Sequence, residues 1–273
     1  MSVWPRNKNA FPSIAVSVAI IGLIVVSTII ISGLAAGLFK DVSNPWYLLI
    51  SYLLSFGLSL VLLMLIRGRE EKFYFTKVPT GIFILLIVPT IALIFLREPL
   101  IELTEMLFPI PEMFEKQFGN MMEWHPAIFF TIAIIAPVLE ELIFRGIILD
   151  GFLQRYDPWK AIIWSSVIFG IAHFNPWQFV SAAALGIVIG WLYWKTRSLW
   201  PGIFIHVFNN AGAYIAGVLL SEDHQMVGTS GVLGPVAYSV LLFFSLFVTI
   251  LFIHWISVFL TRRPVYWGEN ENI

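Results

Sequence analysis

Long apolar runs alternate with short polar breaks along this chain, and the length of the runs sets its class. Eight stretches, at about 13–39, 46–66, 80–96, 126–153, 158–174, 177–195, 199–220 and 235–260, stay apolar for close to the ~17–25 residues that a helix needs to cross hydrocarbon. The expected architecture is all-α, a polytopic membrane protein with eight transmembrane helices. Gly33-Leu34-Ala35-Ala36-Gly37 resembles a cleavage site, but the run before it, from Ser13, exceeds the ~7–15 residues of a signal core. It reads as the first span.

Charge in the breaks tests that count. Arg6 and Lys8, then Arg67, Arg69, Lys72 and Lys77, then Arg155 and Lys160, then Lys195 and Arg197, and last Arg262 and Arg263 mark every second break as rich in cations. The breaks between carry Lys40, then Arg97 and Lys116, then none at Asn175-Pro176 and none in 221–234. This alternation is the positive-inside pattern for eight spans with both termini cytoplasmic.

Composition narrows the picture further. Of 273 residues 59% are hydrophobic and 12% charged, with mean hydropathy +0.86, against about 25% charged in soluble domains. Lipid must cover much of the surface, so residues 1–273 form a single membrane domain, expected in a prokaryotic plasma membrane. A net charge of −1 gives no field for nucleic acid as a partner. No cysteine is present, which removes disulfides, thiolate metal sites and a cysteine nucleophile together.

The long break 97–125 carries six glutamates among apolar residues, with Leu100, Leu103, Met106 and Leu107 at helical offsets. That pattern predicts an amphipathic helix over 99–108 lying on the outer surface, with Glu102 and Glu105 either solvated or touching substrate. Ala182, Gly186 and Gly190 make a small-residue face for helix packing. Pro89 and Pro137 each remove an internal hydrogen bond; Pro137, just before a pair of acids, is placed to free a carbonyl or bend its helix. The tail 267–273 is short and polar.

The chemistry lies in a few polar groups inside the spans: Glu140, Glu141, Arg145, His173, His206, Asn209 and Asn210. A charge at the centre of a membrane helix costs about 2.5–3.5 kcal/mol on insertion scales, so an intramembrane acid is a functional hypothesis by default. Glu141 and Arg145 are four apart and share a helix face as an ion pair, with Glu140 turned about 100° away. His206 and Asn210 repeat the four-residue step, as do Phe169 and His173. Glu140 and His173 are equidistant from the Tyr156-Asp157 turn, about 24–25 Å along an antiparallel hairpin at 1.5 Å per residue. His206 comes out about 10 Å shallower on straight helices, a mismatch that tilt, the Pro137 bend or projection of helices four and five must absorb. His254 reads as a packing or interfacial residue, and His125 and His224 as solvated.

A buried carboxylate beside an imidazole can orient a water and take its proton. A second histidine with an asparagine amide supplies donors to an oxyanion. The group therefore suits hydrolysis of an amide, with Arg145 holding Glu141. The alternative is a polar network that only joins helices.

Glu140-Glu141-x-x-x-Arg145, Phe169-x-x-x-His173 and His206-x-x-x-Asn210 resemble the three motifs of the CPBP intramembrane protease family, which includes the type II CAAX prenyl endopeptidases and is also known as the abortive-infection family. The likeness covers about 126–215, the expected catalytic core. It implies proteolysis of a membrane-associated protein or peptide, in which Glu140 activates water with His173, His206 and Asn210 stabilise the oxyanion, and Glu141, Arg145 and Phe169 support the site. It leaves open a metalloprotease or a metal-independent glutamate protease. Glu140, His173 and His206 can supply a three-ligand zinc site, but no His-Glu-x-x-His helix is present, which favours no cofactor. The rival readings are a non-catalytic scaffold or bacteriocin-immunity factor of the same fold, and a proton-coupled transporter. Basic inner breaks suggest access from the cytoplasm.

Overall fold

The structure is a computed structural model that describes residues 7, 9–68, 72–121, 123–220 and 229–262. The readings made for Arg6, Lys8, Arg69, His224, Arg263 and the 267–273 tail lie outside these residues. Among the described residues nine helical elements follow one another: α1 (Ile14–Phe39), α2 (Pro45–Arg67), α3 (Gly81–Leu107), α4 (Glu112–Met121), α5 (Pro126–Arg155), α6 (Pro158–Ile171), α7 (Pro176–Thr196), α8 (Trp200–Leu220) and α9 (Thr229–Arg262). Among the described residues no strand occurs, and one isolated antiparallel bridge joins Phe75 to Ser198.

The helix starts follow from local sequence. Asn44-Pro45, His125-Pro126 and Asn175-Pro176 each place a capping acceptor before a proline with no N–H to satisfy. Asn44 Oδ1 accepts from the Trp46 amide at 2.9 Å, Asn175 Oδ1 from Gln178 at 2.8 Å and His125 Nδ1 from Ala127 at 3.1 Å. His125 is thus a helix cap, packed edge-on to Trp46, rather than a solvated loop residue.

Seven of these helices (α1, α2, α3, α5, α7, α8 and α9) are long and apolar enough to cross a membrane. Val18, Ile29, Leu38, Leu65, Val236 and Phe243 face outward on α1, α2 and α9, as expected where lipid is the solvent. This is an integral, multi-pass α-helical membrane protein. The remaining expected span, the fifth, 158–174, is a 14-residue helix, Pro158–Ile171, about 21 Å long and so short of a ~30 Å hydrocarbon core.

Two boundaries differ from the reading of the sequence. The third span does not end at 96: α3 continues through Pro99 to Leu107, so the surface helix expected over 99–108 is the last turns of α3. Its acids turn to α9, with Glu98 accepting from the Thr229 amide at 2.9 Å and Glu102 from Ser230 Oγ at 3.1 Å. Arg67 and Arg97 are not loop cations either. Both are buried side chains held inside the bundle.

The core gathers around α5, whose apolar 18-residue stretch is 56% buried against 17–44% for those of the other long spans. Gly186 and Gly190 of α7 let that helix approach closely, as their small-residue face predicts. A Cβ at Gly186 would lie 3.0 Å from Ser166 Cβ and 3.2 Å from Arg145 Nη2.

Candidate active site

α5 is not a uniform helix. Two π-helical stretches, Phe130–Ile135 and Phe144–Leu149, flank the α-helical turns Ala136–Ile143 that carry both acids. Such stretches often mark functional positions, because an inserted residue turns side chains that a regular helix would place elsewhere. Pro137 accounts for the first. In the π register Ala136 donates to the Thr131 carbonyl, so the next donor, to Ile132, would be residue 137, a proline without N–H. The Ile132 carbonyl instead accepts from Asn210 Nδ2 at 3.1 Å.

Around these turns the buried charges meet. Glu141 Oε1 accepts from Arg145 Nη1 at 2.8 Å and lies 2.9 Å from His206 Nδ1. Glu140 Oε2 is 3.6 Å from His206 Nε2, and Tyr52 OH donates to Glu140 Oε1 at 2.5 Å. His206 thus stands between the two carboxylates, while Glu140 and Glu141 diverge as their one-residue spacing requires. Gly202, one turn before His206, leaves room for this: a Cβ there would sit 2.7 Å from Ile189 Cγ2 and 3.2 Å from Glu141 Oε2.

Phe169 organises the other edge. Its ring lies under the Arg145 guanidinium at 4.5 Å and edge-on to both His173 (5.1 Å) and His206 (5.6 Å), which combines cation–π and edge attractions. Its carbonyl is 3.0 Å from His173 Nδ1. That bond assigns the proton to Nδ1 and leaves Nε2 as the acceptor.

The depth mismatch of His206 resolves by projection. Leu199, in the turn before α8, packs within 3.6 Å of the Cβ position of Gly146, so that turn sits level with the second π-helical stretch of α5. The rest of α5 and the start of α6 extend beyond it. The turn is fixed there by the Phe75–Ser198 bridge and by the Leu199 amide donating to the Tyr74 carbonyl at 2.9 Å.

A cavity of about 460 Å³ is lined by Tyr52, Glu140, His173 and Asn210, with Ile24 and Thr28 of α1. Glu140 and His173 therefore face one space. The lining runs to Met121, Phe174 and Gln178, at the bundle end away from the 156–157 and 197–199 turns. The cavity does not lead to the basic turns from which access was expected. A second cavity, about 130 Å³, adjoins it through His173, Gln178 and Asn210 and is lined further by Arg97, Ser181 and Asn209. A third, about 120 Å³, lies among apolar groups of α3, α7 and α9 such as Leu93, Trp191 and Phe252 and holds no candidate chemistry.

Among the described residues no group of three or more His, Asp or Glu side chains is arranged to hold a metal ion. Sequence reasoning missed Tyr52, one of several hydroxyls in an apolar span, and Arg97. It also missed a buried cluster further along α5 from the acids, in which Asp150 binds Arg67 at 2.6 Å and accepts from Tyr193 OH at 3.0 Å. His254 is exposed on α9, away from all of these groups.

Fold and site together define a class: multi-pass α-helical membrane proteins with paired acids and two histidines gathered beside two adjoining cavities. Comparison with known proteins narrows it. Residues 122–212 match the family model described as Rce1-like, type II CAAX prenyl endopeptidase. The chain is similar to a putative membrane peptidase, YdiL, of Bacillus subtilis, 35% identical over 85 residues, or 31% of this chain and 35% of the relative. It is 26% identical over 187 residues to CAAX prenyl protease 2 of Methanococcus maripaludis, covering 58% of this chain and 67% of that one. With the membrane-embedded CAAX protease MroQ of Staphylococcus aureus it shares 29% identity over 104 residues, 36% and 42% of the two chains. The matches span about a third to two thirds of these relatives' lengths. No solved structure matches. The three motifs lie within that matched segment, and the proteins the chain is similar to are named as CAAX proteases or a membrane peptidase.

Proposed function

We propose that the protein is an intramembrane endopeptidase that hydrolyses a peptide bond of a membrane-associated protein or peptide with water as nucleophile. The observation that carries this reading is the shared cavity: Glu140, His173 and Asn210 line one space, and His206 Nε2 is 3.6 Å from Glu140. Glu140 takes the proton of a water held against His173 Nε2, and the resulting hydroxide attacks the carbonyl carbon. The proton passes from Glu140 to the leaving amine. His206 and the second N–H of Asn210 Nδ2 meet the developing oxyanion.

Charge balance supports that assignment. Two carboxylates, Glu140 and Glu141, lie with Arg145 and His206 in one buried group. Buried charge is costly unless neutralised, and a doubly protonated His206 makes the group neutral while giving Nε2 a proton to donate. Glu141 and Arg145 orient His206 and do not react. No step requires a metal.

The test is incubation of the purified full chain in proteoliposomes with a panel of membrane peptides, prenylated and not, with and without a strong chelator. Fragments cut at one site, lost in E140Q and H173A and retained under chelation, are expected. Loss on chelation with recovery on added zinc overturns the mechanism. A phenotype that survives both substitutions in folded protein leaves a scaffold instead, and cleavage that survives them removes Glu140 and His173 from the mechanism.

A further inference from the structure

Arg97 and Asn209 are polar groups beside the site that the mechanism leaves unused. Arg97 is buried, at 6% exposure, and each acceptor that it reaches is neutral. Nε donates to the Leu93 carbonyl at 3.2 Å, Nη1 to Ser181 Oγ at 3.0 Å and the Ser181 carbonyl at 3.3 Å, and Nη2 to Asn209 Oδ1 at 2.6 Å. The adjacent acid, Glu98, turns to the start of α9. A guanidinium is always charged, and burying a charge without a counter-charge is costly. Helix packing alone does not ask for that cost, since an apolar side chain would fill the same space.

The last of these bonds begins a row. Asn209 Nδ2 donates to Asn210 Oδ1 at 3.0 Å, and Asn210 Nδ2 donates to the Ile132 carbonyl at 3.1 Å. Every bond in the row runs the same way, from the cation on α3 to the amide that lines the larger cavity with Glu140 and His173. An amide side chain fills the same space when turned end for end, with its oxygen and its N–H groups exchanged. Here both ends of the row forbid the exchange, because a guanidinium only donates and a carbonyl only accepts. Arg97 holds the Asn209 oxygen toward itself, which commits the Asn209 N–H to Asn210 Oδ1. Asn210 Nδ2 is then left with one N–H for Ile132 and one for the cavity. Hydrogen bonds aligned head to tail also polarise one another, so the charge of Arg97 makes that free N–H the stronger donor.

We propose that Arg97 and Asn209 are positioning residues for Asn210: the buried cation orders and polarises a row of two amides, which aims the free N–H of Asn210 at the developing oxyanion. The inference rests on the peptidase reading and deepens it. Neither residue touches a reacting atom.

The test measures kcat and KM of the full chain in proteoliposomes, on the peptide of the membrane panel that the parent cuts fastest, beside the melting temperature of each variant. N209D keeps the shape of the side chain and gives the buried cation a carboxylate, so it is expected to fold as well as the parent. A carboxylate only accepts, so Asn210 loses the donor at its oxygen and turns. Its kcat is expected to fall about 10²-fold, as for loss of one oxyanion donor. KM should hold within about twofold, because that bond strengthens only in the transition state. R97M is expected to lose about tenfold in kcat as the polarisation is lost, and R97K, which still only donates, to keep more of the rate than R97M. A role in packing alone predicts that N209D keeps its rate. Folded N209D with the parental kcat, or with a loss carried by KM, overturns the proposal whether or not R97M folds. Equal rates for R97K and R97M overturn it also. If the parent cuts no peptide, the peptidase reading falls and takes this inference with it; if parent and N209D cut alike, this inference falls alone.

Discussion

The amide of Asn210 on α8 donates to the carbonyl of Ile132 on α5 at 3.1 Å, a bond that exists because Pro137 cannot compete for that carbonyl. Asn210 Oδ1 in turn accepts from Asn209 Nδ2 at 3.0 Å, so both ends of the side chain are fixed and its orientation is unique. P137A restores an N–H at 137 and offers Ile132 a backbone donor. The expected result is a protein as stable as the parent or more so, because the helix regains a hydrogen bond worth about 0.5–1.5 kcal/mol. Its turnover falls while substrate affinity holds. Thermal unfolding beside steady-state kinetics checks both halves.

Tyr52 supplies a second prediction. Its hydroxyl donates to Glu140, and its ring stacks on Phe56 at 4.4 Å, so Y52F keeps the packing and removes one donor. A hydrogen bond to a charged group is worth about 1.5–3 kcal/mol. The turnover of Y52F is expected to drop about 10- to 100-fold with the melting temperature nearly unchanged. An unaltered rate would mean that Glu140 is oriented without α2.

The Arg145–Glu141 pair is fully buried, at 1% and 0% side-chain exposure. Removing one partner strands the other, at a cost of about 3–5 kcal/mol. R145Q should therefore lower stability sharply, and E141Q/R145Q should recover much of it, since two amides can replace the ion pair. The double variant is expected to stay inactive, because His206 has lost the carboxylate at its Nδ1. Unfolding curves for the single and double variants, read as a cycle, give the coupling directly.

Glycines offer a paired control. G202A puts a methyl 2.7 Å from Ile189 Cγ2 and 3.2 Å from Glu141 Oε2, and overpacking of this kind costs about 1–3 kcal/mol. Gly212, further along α8, has nothing within 4 Å of its Cβ position. G212A should be neutral or stabilise by up to about 1 kcal/mol, as expected for Gly to Ala within a helix. Equal melting temperatures for the two variants would contradict the packing described around Glu141.

Much of this was legible in the sequence, and the reason is local. Acids, imidazoles and amides are conspicuous in apolar spans, and four-residue steps name the pairs that share a face, as with Glu141 and Arg145. The all-helical membrane class follows from run length alone. Tyr52, Arg97 and Asp150 escaped because their meaning is tertiary. A tyrosine in a span is ordinary until a helix 88 residues away presents a carboxylate to it. An arginine one residue past an apolar run looks like a boundary, and only the continuation of α3 to Leu107 puts Arg97 inside. The level of His206 failed for a related reason: straight-helix arithmetic assumes turns at one depth, whereas the 197–199 turn is drawn in to the height of Gly146.

The brevity of α6 reaches beyond the protein into the bilayer around it. At about 21 Å it falls roughly 9 Å short of an average hydrocarbon core, and a deficit of that size is met by lipid compressing beside the short element. Trp159 and Trp164 stand exposed on its flank, in position to anchor headgroups drawn inward. His173 stands two residues past the end of α6, so a helix this short sets it nearer one face of a ~30 Å hydrocarbon layer than a full span would, which shortens the path that water has to travel.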